Sequence, residues 1–122
     1  LGYPFSSIKR LFDVMAPGMA KHFMFTADKI SAEEALSCGL IQKLISENDI
    51  ETFVKNYALT ISKNAPLTIK AMKQIGVEII KNPDERDLLI CEQLASECFD
   101  SEDYKEGRKT FMEKRQANFK GV

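Results

Sequence analysis

The chain has 122 residues, a net charge of about −1, 44% hydrophobic and 29% charged residues, which is enough for one domain with a modest core. The near-neutral balance excludes a field that would gather nucleic acid or an anionic membrane, and no apolar run approaches the roughly 20 residues that span a bilayer. No signal-peptide pattern opens the chain. Cys38, Cys91 and Cys98 are odd in number and lack metal-type spacing, which favours a reducing, cytoplasmic setting with the thiols as small apolar groups.

Gly2, Pro4, Ser6 and Ser7 give the opening residues turn chemistry. Ile8, Leu11, Phe12 and Met15 then predict a short helix from about Ser7 to Met15. Ala16-Pro17-Gly18 breaks it, and Pro17 suits the first turn of a second helix reaching Phe25. Ser31 and Glu34 form a capping box for a third helix, stopped by Gly39. Leu40 to Ile45 is the one strand candidate, too brief to make a sheet alone. Ser46 to Asp49 caps the next helix, where Ile50, Phe53, Val54, Tyr57, Ala58 and Ile61 follow the helical template most closely. Pro66 starts a fifth helix with Ile69, Met72, Ile75, Ile79 and Ile80 as its stripe. Gly76 costs that helix roughly 1 kcal/mol relative to Ala and predicts a close helix crossing. After Asn82-Pro83, with Asp84 as a cap, Leu88, Cys91, Leu94, Ala95, Cys98 and Phe99 line a sixth helix. Ser101 or Asp103 caps the seventh, on which Tyr104, Gly107, Arg108 and Phe111 share a side. The expected fold class is mostly α. Its wide apolar stripes call for a partner surface, either another domain or other subunits.

Chemistry is sparse. His22 has no nucleophile motif around it and no second histidine with which to share a metal. The acid pairs Glu33/Glu34, Asp84/Glu85 and Glu102/Asp103 stand at helix starts, where the macrodipole favours negative charge. No phosphate loop and no zinc set is present, and bases are interleaved with acids rather than gathered. The closing stretch, Phe99 to Phe119, is the exception. It is dense in charge, yet Phe99, Tyr104, Phe111 and Phe119 set large rings in it. Arg108, Lys109, Lys114 and Arg115 either complement a helix C-terminus or flank an anionic, aromatic ligand such as a nucleotide. Spacing leaves both readings open.

Three segments resemble one family. S-E-D-Y-K-E-G-R-K-T-F-M-E-K-R-Q-A-N-F (Ser101 to Phe119) is similar to the C-terminal signature of the enoyl-CoA hydratase/isomerase, or crotonase, superfamily. F-T-A-D-K-I-S-A-E-E-A-L-S-C-G-L-I-Q-K-L-I (Phe25 to Ile45) and A-P-L-T-I-K-A-M-K (Ala65 to Lys73) resemble earlier segments in family order. The resemblance implies the C-terminal helical domain of a crotonase-like fold, with the ββα-repeat core absent from these 122 residues. Residues 1–45 would be the end of the core and its linking helices, and residues 46–122 the trimerisation-type helices. The start at Leu1-Gly2, without an initiator Met, fits the tail of a longer protein.

The function implied is that of an enzyme acting on acyl-CoA thioesters by stabilising an enolate in an oxyanion hole. This part would give oligomerisation, as a homotrimer or dimer of trimers, and some of the CoA site. No catalytic residue and no metal ligand falls in it, no cofactor is implied beyond the CoA thioester as substrate, and the part alone is expected to be inactive. Phe99 stands where relatives place an aromatic beside the CoA nucleotide, with core packing as the other reading. Lys114 stands where they place a lysine on that nucleotide's phosphate, commonly in a neighbouring subunit, with simple solvent exposure as the other. Tyr3-Pro4-Phe5-Ser6-Ser7 departs from the usual glycine-rich run, and Phe5 is a candidate for the acyl pocket. The parent can be a hydratase, an isomerase or a decarboxylase, and a non-catalytic helical interaction module is the reading from a different class.

Overall fold

A computed structural model describes residues 2–122, so Leu1 of the opening Leu-Gly lies outside the described residues. The elements are α1 (Phe5–Val14), α2 (Pro17–Thr26), α3 (Ala32–Ser37), α4 (Ile50–Ser62), α5 (Pro66–Ile80), a single 3-10 turn (Pro83–Glu85), α6 (Leu88–Asp100) and α7 (Glu102–Glu113). They belong to two compact units, Leu1–Ile50 and Glu51–Val122.

The expected mostly-α class, with its one strand, is corrected to all-helical: no strand occurs among the described residues. The reason lies at the end of α3. Gly39 turns the chain at φ +83°, and the amides of Leu40 and Ile41 both donate back to the Ala35 carbonyl, at 2.9 and 3.2 Å. The first donors of Leu40–Ile45 are thus spent on the helix terminus, and no second strand exists to pair the rest.

In the first unit α1 packs against α2, with Met15 and Ala20 buried. Pro17 occupies the first turn of α2, where its missing N–H costs nothing. The capping box of α3 forms as the spacing predicts. Ser31 Oγ accepts the Glu34 amide at 3.1 Å, and the Glu34 carboxylate accepts the Ser31 amide at 2.8 Å. Ser31, its backbone amide first and then its side chain, holds the Glu34 carboxyl below the usual carboxylate range.

In the second unit α5 packs on α6 and α6 on α7. Ala71 and Leu94 are the buried apolar residues there. Gly76 does not mark a close crossing within this chain, because a Cβ added to it would meet nothing within 4 Å. Asp87, rather than Asp84, caps α6, accepting the Ile90 amide at 3.0 Å. The Asp87 amide in turn donates to Glu78, whose carboxylate also takes Lys81 Nζ. The Lys81 bond, then the Asp87 amide, keep Glu78 below the usual range. On α4, Phe53 and Tyr57 stack at 5.8 Å. Tyr57 is nonetheless exposed, as are Ile50, Val54 and Ile61 of the same stripe. Among the described residues, no helix is long and apolar enough to cross a membrane.

Candidate functional site

The site grows from the corner between α6 and α7. Ser101 serves both helices. Its hydroxyl donates to the Cys98 carbonyl at 2.7 Å and accepts the Tyr104 amide at 3.0 Å. A single residue therefore closes one helix and caps the next, which brings Phe99 and Tyr104 edge-to-face at 5.3 Å and 78°. The Arg108 guanidinium lies 5.9 Å from the Tyr104 ring centroid, within cation–π range. Phe99, Tyr104, Arg108, Phe111 and Phe119 line an open groove of about 1150 Å³. Phe99 is 62% exposed, so within these residues its ring does not fill a core.

The last seven residues have no regular structure, yet two carboxylates of α7 fasten them. Asp103 is 3% exposed. Its two oxygens accept the amides of Lys120 and Gly121, each at 2.7 Å, and its own amide donates to the Val122 carbonyl at 3.2 Å. Gly121 sits at φ +78° with Pro66 against it, a conformation that suits glycine. A Cβ on Gly107 would lie 3.5 Å from the Phe119 ring, so a small residue there lets the ring settle on α7. Glu106 holds the second anchor. Arg115 grips it with two parallel bonds, 2.8 and 3.1 Å, and the Asn118 amide adds a third at 3.1 Å. The Arg115 fork, then the Asn118 amide, lower the Glu106 carboxyl to about 2.

Lys114 closes α7 in the left-handed region, at φ 53° and ψ 38°. Its side chain is exposed and has no hydrogen-bond or ion-pair partner among the described residues. It does not line the groove that holds Phe99. Phe111, one turn before it, is 83% exposed. Phe5 belongs to the other unit, is 77% exposed at the first position of α1, and stands outside the roughly 320 Å³ groove that Tyr3, Ile8, Leu11 and Phe23 line there. His22 is exposed on α2. Among the described residues no group of three or more His, Cys, Asp or Glu is gathered as a metal site.

With this arrangement in view, the comparisons with known proteins agree. The family model for enoyl-CoA hydratase/isomerase matches residues 3–122, and the chain belongs to that family. It is 35% identical to a crotonyl-CoA hydratase of Syntrophomonas wolfei over 94% of this chain and 44% of the relative. It is also 35% identical to a methylmalonyl-CoA decarboxylase of Escherichia coli, over 84% of this chain and 40% of the relative. A solved enoyl-CoA hydratase of Mycobacterium tuberculosis superposes with a TM-score of 0.77 at 28% identity, covering 94% of this chain and 46% of that one. The chain thus spans less than half the length of these relatives. That coverage fits a fragment of the crotonase fold. It does not uphold the expected assignment to the C-terminal helical domain with the ββα core outside the chain, because the share matched measures how much of a relative is covered and not which end.

Sequence reasoning treated Asp103 as one of a pair of dipole-complementing acids and Arg115 as one of a run of bases. The structure ties both to partners in or near the tail. For Glu106 and Arg115, nine residues apart on and just past one helix, opposite charge was the available signal. For Asp103, whose partners are backbone amides 17 and 18 residues on, the sequence carries no signal.

Proposed function

We propose that this chain is part of an enzyme acting on acyl-CoA thioesters, with Phe99 and Lys114 contacting the CoA nucleotide. The observation that carries the reading is the Phe99–Tyr104 ring pair, exposed in an open groove with the Arg108 guanidinium beside it. Rings of this kind offer a stacking platform to a base, and an unpartnered ammonium such as Lys114 takes a phosphate as a point charge. Phe111, exposed one turn before Lys114, offers that ligand a second ring. Phe5 would line the acyl pocket with its exposed ring.

The reaction proposed for the whole protein polarises the thioester carbonyl. Backbone N–H donors aimed at the developing enolate oxygen stabilise it in a site of low dielectric, and a carboxylate moves the proton or activates water. No residue of this chain is assigned to those steps, and these 122 residues alone are expected not to turn over crotonyl-CoA. The intact protein would work in the cytoplasm, in keeping with three unpaired, half-buried cysteines. It would assemble as a homotrimer or a dimer of trimers that covers apolar faces such as that of α4. Those same exposed faces favour the second reading, a helical interaction module without chemistry.

The test uses the intact protein, with crotonyl-CoA and methylmalonyl-CoA as substrates, product identification and titration with CoA. Turnover of either substrate supports the enzyme reading and separates hydration from decarboxylation. Lys114→Ala is expected to weaken CoA binding by roughly tenfold, the loss of one charge-assisted contact, and by more at low salt. CoA affinity unchanged in that variant would return Lys114 to ordinary surface. Absence of CoA binding altogether, with self-association retained, would leave the interaction module as the better account.

A further inference from the structure

The backbone of Lys114 raises a question that its side chain answers. A helix that closes in the left-handed region ordinarily places glycine there, because a Cβ crowds the following carbonyl. Among the described residues only Ala27 and Lys114 adopt positive φ without being glycine. Ala27 ends α2, and the amide of Asp28 after it donates to the Thr26 hydroxyl at 3.3 Å. At Lys114 the next residue is tied down thoroughly. Arg115 donates its backbone N–H to the Thr110 carbonyl at 3.2 Å. Its Nε donates to Glu113 at 2.6 Å, and Nη1 and Nη2 donate to the two oxygens of Glu106. Nη1 also reaches the Gln116 carbonyl at 3.2 Å.

Two consequences follow from this geometry. A strained conformation persists only where its surroundings over-determine it, and the Arg115 fork on Glu106 supplies that constraint one residue from Lys114. The same bonds consume Arg115, whose guanidinium is turned back onto α7. Of the two adjacent cations, Lys114 is left without an acid among the described residues. A guanidinium held by two carboxylates has little left for an incoming phosphate, whereas the ammonium next to it keeps all three donors.

We propose that Glu106 and Arg115 are positioning residues, a clasp that holds the left-handed turn at Lys114 and so directs its ammonium toward the phosphates of a nucleotide-bearing thioester. The inference rests on the proposed role of Lys114 and extends it to two residues that touch no ligand. The low pKa of Glu106 is consistent with a clasp that stays ionised at neutral pH.

The experiment measures binding of CoA and of pantetheine, which lacks the nucleotide and every phosphate, to the intact protein by calorimetry, alongside thermal unfolding. Arg115→Gln and Glu106→Gln should each weaken CoA about fivefold, the scale of one misplaced charged contact, and leave pantetheine unchanged. Should Arg115→Gln fail to fold, Glu106→Gln carries the test, since it keeps the volume of the side chain. Lys114→Gly should raise the melting temperature, because strain is relieved, while weakening CoA at least as much as the clasp variants. Folded clasp variants that bind CoA like the wild type would overturn the positioning role and leave the proposed function standing. Equal losses for both ligands would reduce the clasp to a structural part and overturn it too. A wild-type protein that does not bind CoA would overturn the proposed function, and this inference with it.

Discussion

Helices α3 and α7 both open on a pair of acids, Glu33/Glu34 and Glu102/Asp103, and they use them differently. In α3 the Glu34 carboxylate bonds the amide of Ser31, three residues back. In α7 the cap is left to Ser101, and the Asp103 carboxylate spans 17 and 18 residues to the amides of Lys120 and Gly121. The first arrangement satisfies a helix terminus from within. The second satisfies a tail that has no ladder of its own, and it builds one wall of a groove, since Phe119 lies in that tail. The macrodipole accounts for acid at either start; it does not distinguish a cap from an anchor.

The largest effect that would break this comparison belongs to Asp103. Asp103→Asn keeps the shape but leaves the buried side chain a single acceptor oxygen for two amides. The loss should be about 1.5–3 kcal/mol, the range for hydrogen bonds to a charged group. Urea unfolding together with amide exchange at Lys120 and Gly121 reads both the size and the place. If those two amides stay as protected as in the wild type, Asp103 is an ordinary helix-start acid and the contrast with Glu34 disappears.

Next in size is the local cap. Ser31→Ala should cost about 1 kcal/mol, the usual penalty for losing an N-cap hydroxyl. Exchange should rise at the Glu34 amide and be unaltered at the tail amides. A response at Lys120 or Gly121 would mean that the α3 cap is not the local device described.

What was legible follows the same division. Every helix, the Ser31–Glu34 box, Pro17 and Pro66 as first-turn residues and the Gly39 stop could be read, because each rests on neighbours within four residues. The strand at Leu40–Ile45 could not be rejected in advance. Its first two donors are claimed by Ala35, and a short run rich in apolar residues does not say where amides point. Gly76 misled for a related reason, since a glycine in a helix tells of missing bulk and not of what stands opposite. In the candidate site, Phe99 and Lys114 were singled out through resemblance, and the structure gives Phe99 a place on the groove wall. It leaves Lys114 off that wall and Phe5 in the other unit. Asp103 was read as a helix-start acid and Arg115 as one of a group of bases, and Glu106 was not singled out, because the tail that uses them is irregular and irregular backbone has no period to read.

The smallest effect concerns Glu106, and it sharpens the comparison through pH. Its folded pKa, about 2, lies below the ordinary value of 4.5, chiefly through the Arg115 bonds and then the Asn118 amide. A depressed carboxylate gives stability that is fully present above its unfolded pKa and is lost as pH falls through the folded one. The wild type should therefore exceed Glu106→Gln in stability by a constant margin above about pH 5, and the margin should shrink toward about pH 2 as the carboxylate takes up its proton. Because the side chains of Glu106 and Arg115 are partly exposed, at 24% and 40%, water and salt screen the pair and the margin should also narrow with added salt. Glu34 is depressed in the same direction by Ser31, so acid loosens both helices. Only the α7 part of that loss should vanish in Glu106→Gln. Stability profiles of the two proteins that run parallel from neutral pH down to about 2 would show that the ionised clasp contributes nothing, and the tail would then hang on Asp103 alone.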